Sequence, residues 1–160
     1  MSLPPFQHLV DGHWRDVARL AHALAGPVDG DDVAQEAWTK ALRAYPGLRS
    51  SANLRGWLLT ITHNCAMDRH RAARRTVALT DLDGLASAPV SSSPQEPRPE
   101  LWSAVSVLPE RQRAAIALKY VTDLDHREIA RVLDTTPAMS RRLVSDGLAT
   151  LRLSIDEESR

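Results

Sequence analysis

A chain of 160 residues has room for one ordinary domain or two small helical ones, and not for a large α/β enzyme. Apolar residues make up 43% and charged residues 25%, while seven glycines and a single phenylalanine argue against a β-sandwich or a Rossmann fold, so the expected class is all-α. Twenty basic residues balance twenty acidic ones, which removes the overall basic character of a free-standing nucleic-acid binder and leaves any polyanion binding to local charge.

In chain order, Phe6, Val10, Val17, Ala21 and Leu24 recur at helical spacing until Gly26-Pro27 ends the run. Asp29, Asp31 and Asp32 then place carboxylates where a second helix begins, favoured there by the free amide donors and the dipole. Its expected buried stripe is Val33, Ala37, Ala41 and Leu42, and it closes near Tyr45-Pro46-Gly47. The opposite face carries Asp32, Gln35, Glu36 and Thr39. Trp38 lies at the seam, either closing the core or offering an aromatic anchor to a partner.

A short polar segment, Leu48 to Asn53, precedes a long helix with Leu54, Trp57, Leu58, Ile61 and Cys65 as its apolar stripe. At 100° per residue, Thr60, His63, Asn64, Met67, Arg71 and Arg74 fall together on the other side, with Arg75 at the edge. Amides and hydroxyls there suit base edges or an extruded base, and arginines suit phosphates; a merely solvated helix end fits the same pattern.

Residues 76–100 differ in kind. They hold one basic and four acidic residues, four of the ten prolines (Pro89, Pro94, Pro97, Pro99) and the serines Ser87, Ser91, Ser92 and Ser93, which reads as a flexible acidic linker. By contrast, residues 1–75 carry ten basic and seven acidic residues, and residues 101–155 eight and six. Two helical domains, 1–75 and 101–160, are therefore expected on either side of it, weakly basic over 1–75 and 101–155 and acidic in the last five residues.

Leu108-Pro109-Glu110 reads as a helix start, with Ala114, Ala115, Leu118 and Val121 as the packing side. Asp125 and Glu128 have capping-box spacing and open a short helix with Ile129, Ala130 and Leu133 inside. After the break Asp134-Thr135-Thr136, Pro137 starts a final helix with Leu143, Val144, Leu148 and Leu151 buried. The spacing predicts a helix-turn-helix, or else an ordinary helical hairpin. As a helix-turn-helix, its second helix is capped by Thr136 and presents Ala138, Arg141, Arg142 and Ser145 outward, toward a major groove.

Chemistry of other kinds has no signature. There is no phosphate-cradling glycine loop, no paired-cysteine zinc motif and no His-Glu-x-x-His, and the six histidines lack ligand spacing, so no catalytic residue, metal or cofactor is expected. The lone Cys65 excludes an internal disulfide. No apolar run approaches the roughly 18 residues that cross a bilayer, and the first residues lack an export pattern, so a cytoplasmic protein without membrane insertion is expected.

Three strings, taken together, resemble the extracytoplasmic-function (ECF) sigma factors of the sigma-70 family. They are Asp32-Val33-Ala34-Gln35-Glu36-Ala37-Trp38; Trp57-Leu58 through Asn64 with Asp68-Arg69; and Leu108-Pro109-Glu110-Arg111-Gln112-Arg113. The resemblance covers about residues 6–75 and 101–153. It implies a first domain like sigma region 2, which binds core RNA polymerase and reads and opens the minus-10 element, and a second like region 4, which reads minus-35 DNA. On that resemblance Asp32, Gln35, Glu36, Trp38 and Thr39 face polymerase; Asn53, Thr60, His63, Asn64, Met67, Arg71 and Arg74 face minus-10 DNA; and Thr136, Ala138, Arg141, Arg142 and Ser145 face minus-35 DNA. Asp134 stands at a turn position where the family usually has glycine, and Ser140 at one usually apolar. An anti-sigma partner is compatible with this picture and leaves no mark in the sequence. The alternatives are a stand-alone helix-turn-helix regulator, binding a palindrome as a dimer, and a sigma-like interaction module without promoter reading.

Overall fold

In the computed structural model, which describes residues 2–79 and 99–160, α1 (Phe6–Ala44) doubles back on itself at Gly26. Gly26 has φ of 85°, a left-handed value that glycine adopts without a Cβ penalty, and Pro27 fits the first turn of the renewed helix because its missing N–H had no partner to lose. The two stretches of α1 lie side by side. Phe6 meets Trp38 edge-on at 6.0 Å and Tyr45 at 5.3 Å, and the Tyr45 hydroxyl donates to the Pro4 carbonyl. A short 3-10 turn, Tyr45–Gly47, ends the hairpin.

α2 (Leu54–Leu79) packs along this hairpin and completes a three-segment bundle. Leu20, Leu24, Val33, Leu58, Leu59, Cys65 and Ala66 fill its core, each large side chain contributing about 1.5–3 kcal/mol by leaving water. The apolar stripe of α2 is broader than the expected one, because α2 touches α1 on one side and the second half of the chain on the other. Leu42, expected inside, is 56% exposed: the 3-10 turn follows so closely that Ala41 and Tyr45 complete the seal without it.

The second unit comprises α3 (Pro99–Ser106), α4 (Glu110–Tyr120), α5 (His126–Leu133) and α6 (Pro137–Glu158). α3 has no counterpart among the expected helices. Together with the end of α2 it also makes 76–79 and 99–100 helical, where a linker was expected; the rest of that expectation, 80–98, lies outside the described residues.

Local chemistry fixes α5 and α6. The Asp125 carboxylate accepts from the Glu128 amide at 2.9 Å while Glu128 accepts from the Asp125 amide at 2.9 Å, closing the capping box. Asp134 takes the left-handed conformation (φ 53°) that ends α5, and the Thr136 hydroxyl accepts from the Met139 amide at 3.1 Å to open α6. Gly147 lets α6 approach α4: a Cβ there would sit 2.4 Å from Ile116 Cδ1. Among the described residues there is no strand.

The cores of the two units meet in one continuous apolar cluster, from Leu20 and Leu59 through to Leu118 and Ile129. Polar ties cross the same joint. The Arg55 guanidinium pairs with Asp16 at 2.8 Å and donates to the carbonyl of Thr122, a fully buried residue just beyond α4. His70 lies 2.8 Å from the Leu24 carbonyl and 3.3 Å from Arg113. The shorter contact, to an acceptor-only oxygen, assigns the proton to Nε2, so that nitrogen has no lone pair left for Arg113.

Candidate functional site

Three outward faces carry the candidate residues. The first lies on the second stretch of α1, where Asp32, Gln35 and Thr39 are exposed and Glu36 is partly so. This face is held in place from below: Arg69 of α2 reaches Asp29 at 3.1 Å and Asp32 at 3.2 Å. Lys40 bridges Glu36 at 3.2 Å and Asp68 at 3.8 Å, and the hydrogen bond to Glu36 raises its pKa. Arg69 is thus spent on organising α1. Trp38 turns toward Phe6 and closes the core instead of projecting as an anchor.

The second face runs along α2, and its members have unequal circumstances. Asn53 is exposed but occupied, its side-chain oxygen accepting from the Gly56 amide at 3.1 Å at the start of the helix. Thr60 returns its hydroxyl to the Gly56 carbonyl at 2.8 Å. His63 and Asn64 sit 3.4 Å apart, Asn64 open to solvent and His63 partly covered, with Glu110 and Arg111 of α4 close by. Burial depresses the pKa of His63, so the neutral ring is favoured. Met67 does not belong to this face: it is 7% exposed and lies in the core, because the joint with the second unit claims that side of the helix.

Further along, Arg71 pairs with Asp68 at 3.3 Å and Arg74 with Glu110 at 3.4 Å. Arg71, Arg74 and Arg75 rim an open depression whose fourth wall is Asp68. A neighbouring cleft between α2 and α4, about 420 Å³, is lined by His70, Arg74, Glu110 and Arg113. The face of α2 that the sequence marks for nucleic acid is therefore partly shuttered by the second unit.

The third face belongs to α6 and is open. Thr136, Ala138, Arg141, Arg142 and Ser145 are all exposed, in the first turns after a capped helix start. Arg142 has only a loose partner, Asp146 at 3.8 Å. α5 crosses behind, and the His126 ring meets the buried Ser140 hydroxyl at 2.9 Å. Such a geometry, a short capped helix, a tight turn and a longer helix with exposed arginines, fits a major groove.

What sequence reasoning missed is the joint: Asp16, Arg55 and His70 go unmarked, and Glu110 and Arg113 are marked only as part of a helix start, because their partners lie far away in the chain. Cys65 is buried, and burial raises its thiol pKa, which makes it unreactive. Among the described residues no group of three or more His, Cys, Asp or Glu could hold a metal, and no helix is long and apolar enough to cross a membrane.

Comparison with known proteins falls on the same two units. The family "Sigma-70 region 2" matches residues 9–76 and "Sigma-70, region 4" matches residues 98–151. The "ECF RNA polymerase sigma-E factor" of Escherichia coli K12 is 29% identical over 143 residues, covering 81% of this chain and 75% of the relative. The "ECF RNA polymerase sigma factor BldN" of Streptomyces coelicolor is 25% identical over 167 residues, covering 97% of this chain and 62% of that one. Among solved structures, the sigma factor RpoE in complex with the anti-sigma factor NepR from Bartonella quintana superposes with a TM-score of 0.82 at 19% identity, covering 94% of this chain and 96% of the other. CnrH in complex with the cytosolic domain of CnrY gives 0.70 at 23%, covering 95% and 88%.

Proposed function

The chain belongs to the ECF sigma factors of the sigma-70 family, which direct core RNA polymerase to promoters, and from that premise we propose how its three faces divide the work. Asp32, Gln35, Glu36 and Thr39 on α1 dock on core polymerase. Asn64, with His63, Thr60 and Asn53, reads and helps open the minus-10 element, while Arg71 and Arg74 hold its phosphates. Arg141 and Arg142, with Thr136, Ala138 and Ser145, read the minus-35 duplex. Residues 1–75 and 101–160 act as the two domains, with 76–100 between them.

The observation that carries this reading is the difference between the two DNA faces. The α6 face stands open, whereas on α2 His63 is partly covered and Arg74, though exposed, is paired with Glu110 of α4. A chain with balanced charge and one reader shuttered gains little from free DNA, since few counterions are released. Polymerase supplies the grip, and docking of α1 separates the units. The closed arrangement is the resting form, and an anti-sigma partner acts by holding it. The protein works in the cytoplasm, beside polymerase, and contributes recognition without catalytic residues of its own.

Run-off transcription with reconstituted holoenzyme tests this reading. Core polymerase plus the chain should initiate at a subset of a promoter library, and the chain alone should bind the same fragments at least about tenfold more weakly. Tight binding by the isolated chain to a palindromic site would instead favour a stand-alone regulator.

A further inference from the structure

Ser140 is 0% exposed, yet it sits one residue from Arg141, which projects to solvent. Its hydroxyl lies 2.9 Å from Nδ1 of His126, the first residue of α5. A buried hydroxyl needs a partner, and an imidazole nitrogen with a free lone pair accepts one bond along one direction. The contact between the starts of α5 and α6 is therefore directional, unlike the apolar contacts of Ile129, Leu133 and Val144 deeper between the same helices.

Burial, and two nearby cations with it, favour the neutral ring, whose Nδ1 can accept from the Ser140 hydroxyl. Lys119 of α4 and Arg141 of α6 oppose a proton on His126, as does burial, which is the largest cause; Asp125, beside it, works the other way and does not prevail. His126 pKa is accordingly lowered, and near neutrality Nδ1 accepts the Ser140 proton.

We propose that His126 is a positioning residue for duplex reading: through its bond to Ser140 it fixes the rotation of α6 against α5, and so the direction in which Arg141 leaves the helix. This rests on the assignment of α6 as the minus-35 reader. His126 itself need touch no DNA.

The test uses holoenzyme on promoters randomised in the upstream element, with His126→Ala, Ser140→Ala, the double variant and His126→Asn. Asparagine offers an acceptor oxygen near the position of Nδ1 and does not titrate. Upstream discrimination should fall about tenfold, within the range of one bidentate contact, in either alanine variant. It should fall no further in the double variant, should recover in His126→Asn, and minus-10 preference should not move. Ser140→Ala leaves a methyl group in an apolar site, so it reports even if His126→Ala folds poorly. Unchanged discrimination in a folded Ser140→Ala protein, or additive losses in the double variant, would overturn the positioning role while the minus-35 assignment stands. A parent holoenzyme indifferent to the upstream element would overturn that assignment and this inference with it.

Discussion

Arg74 and Glu110 face each other at 3.4 Å across the joint between the two helical units, so a cation marked for phosphate is held by a carboxylate of its own chain. Both side chains reach solvent, which limits the pair to at most about 1 kcal/mol. The firmer tie is Arg55, partly buried, which serves Asp16 and the Thr122 carbonyl at once.

Replacing Arg55 by methionine should therefore loosen the joint by about 1–2 kcal/mol, because Thr122 loses a charged donor and Asp16 its partner. Energy transfer between dyes on Ser2 and Ser159 reads the separation; Glu110→Gln alone should change it little. An Arg55→Met protein as closed as its parent would show that the apolar contacts suffice.

Acid should weaken the fold through two rings. His63 and His126 both have lowered pKa values, chiefly from burial, so the folded state resists protons that the unfolded chain accepts at about 6.5. The stability this represents is complete above that value and drains away as pH drops below it toward the lower folded values. Urea midpoints measured between about pH 7.5 and 5 should fall, and His63→Gln should flatten the slope. A midpoint independent of pH in that window contradicts both rings' placement.

On α1, Glu36→Ala or Gln35→Ala should leave the melting temperature nearly unchanged, since the Glu36–Lys40 pair is a surface one worth about 0.3–0.5 kcal/mol. Holoenzyme assembly should weaken about thirtyfold or more if either is an interface hot spot. Native gel titration against core polymerase checks it, and normal assembly would remove this face from the polymerase contact.

The two arginines of α6 should separate by readout. Arg141→Ala should cost about 1–3 kcal/mol of discrimination at one base pair, as a bidentate contact does. Arg142→Ala should lower affinity evenly and reduce the salt slope by about one unit. Equal behaviour of the two variants would mean that both hold phosphates.

Features written in consecutive residues were legible in the sequence. The capping box of Asp125 and Glu128, the Thr136-Pro137 start of α6 and the Gly26-Pro27 break each follow from a few adjacent side chains, and all three stand in the structure. Met67 and Leu42 were misplaced because helical periodicity assumes one packing side. α2 has two, and α1 ends in a turn whose Tyr45 substitutes for Leu42. α3 escaped notice since its proline, a good first-turn residue, stands at the edge of a proline-rich stretch. The joint was invisible: Arg55 and Thr122 are 67 residues apart.

The bend at Gly26 also sets a phase. Beyond it, each residue turns the helix by about 100°, and Asp29 and Asp32 must both point at Arg69. One residue inserted between Pro27 and Asp29 would swing the acidic row a quarter-turn or more off its clasp without unfolding either stretch. Spacing there, as much as the identity of any side chain, decides which way the chain shows its acidic row.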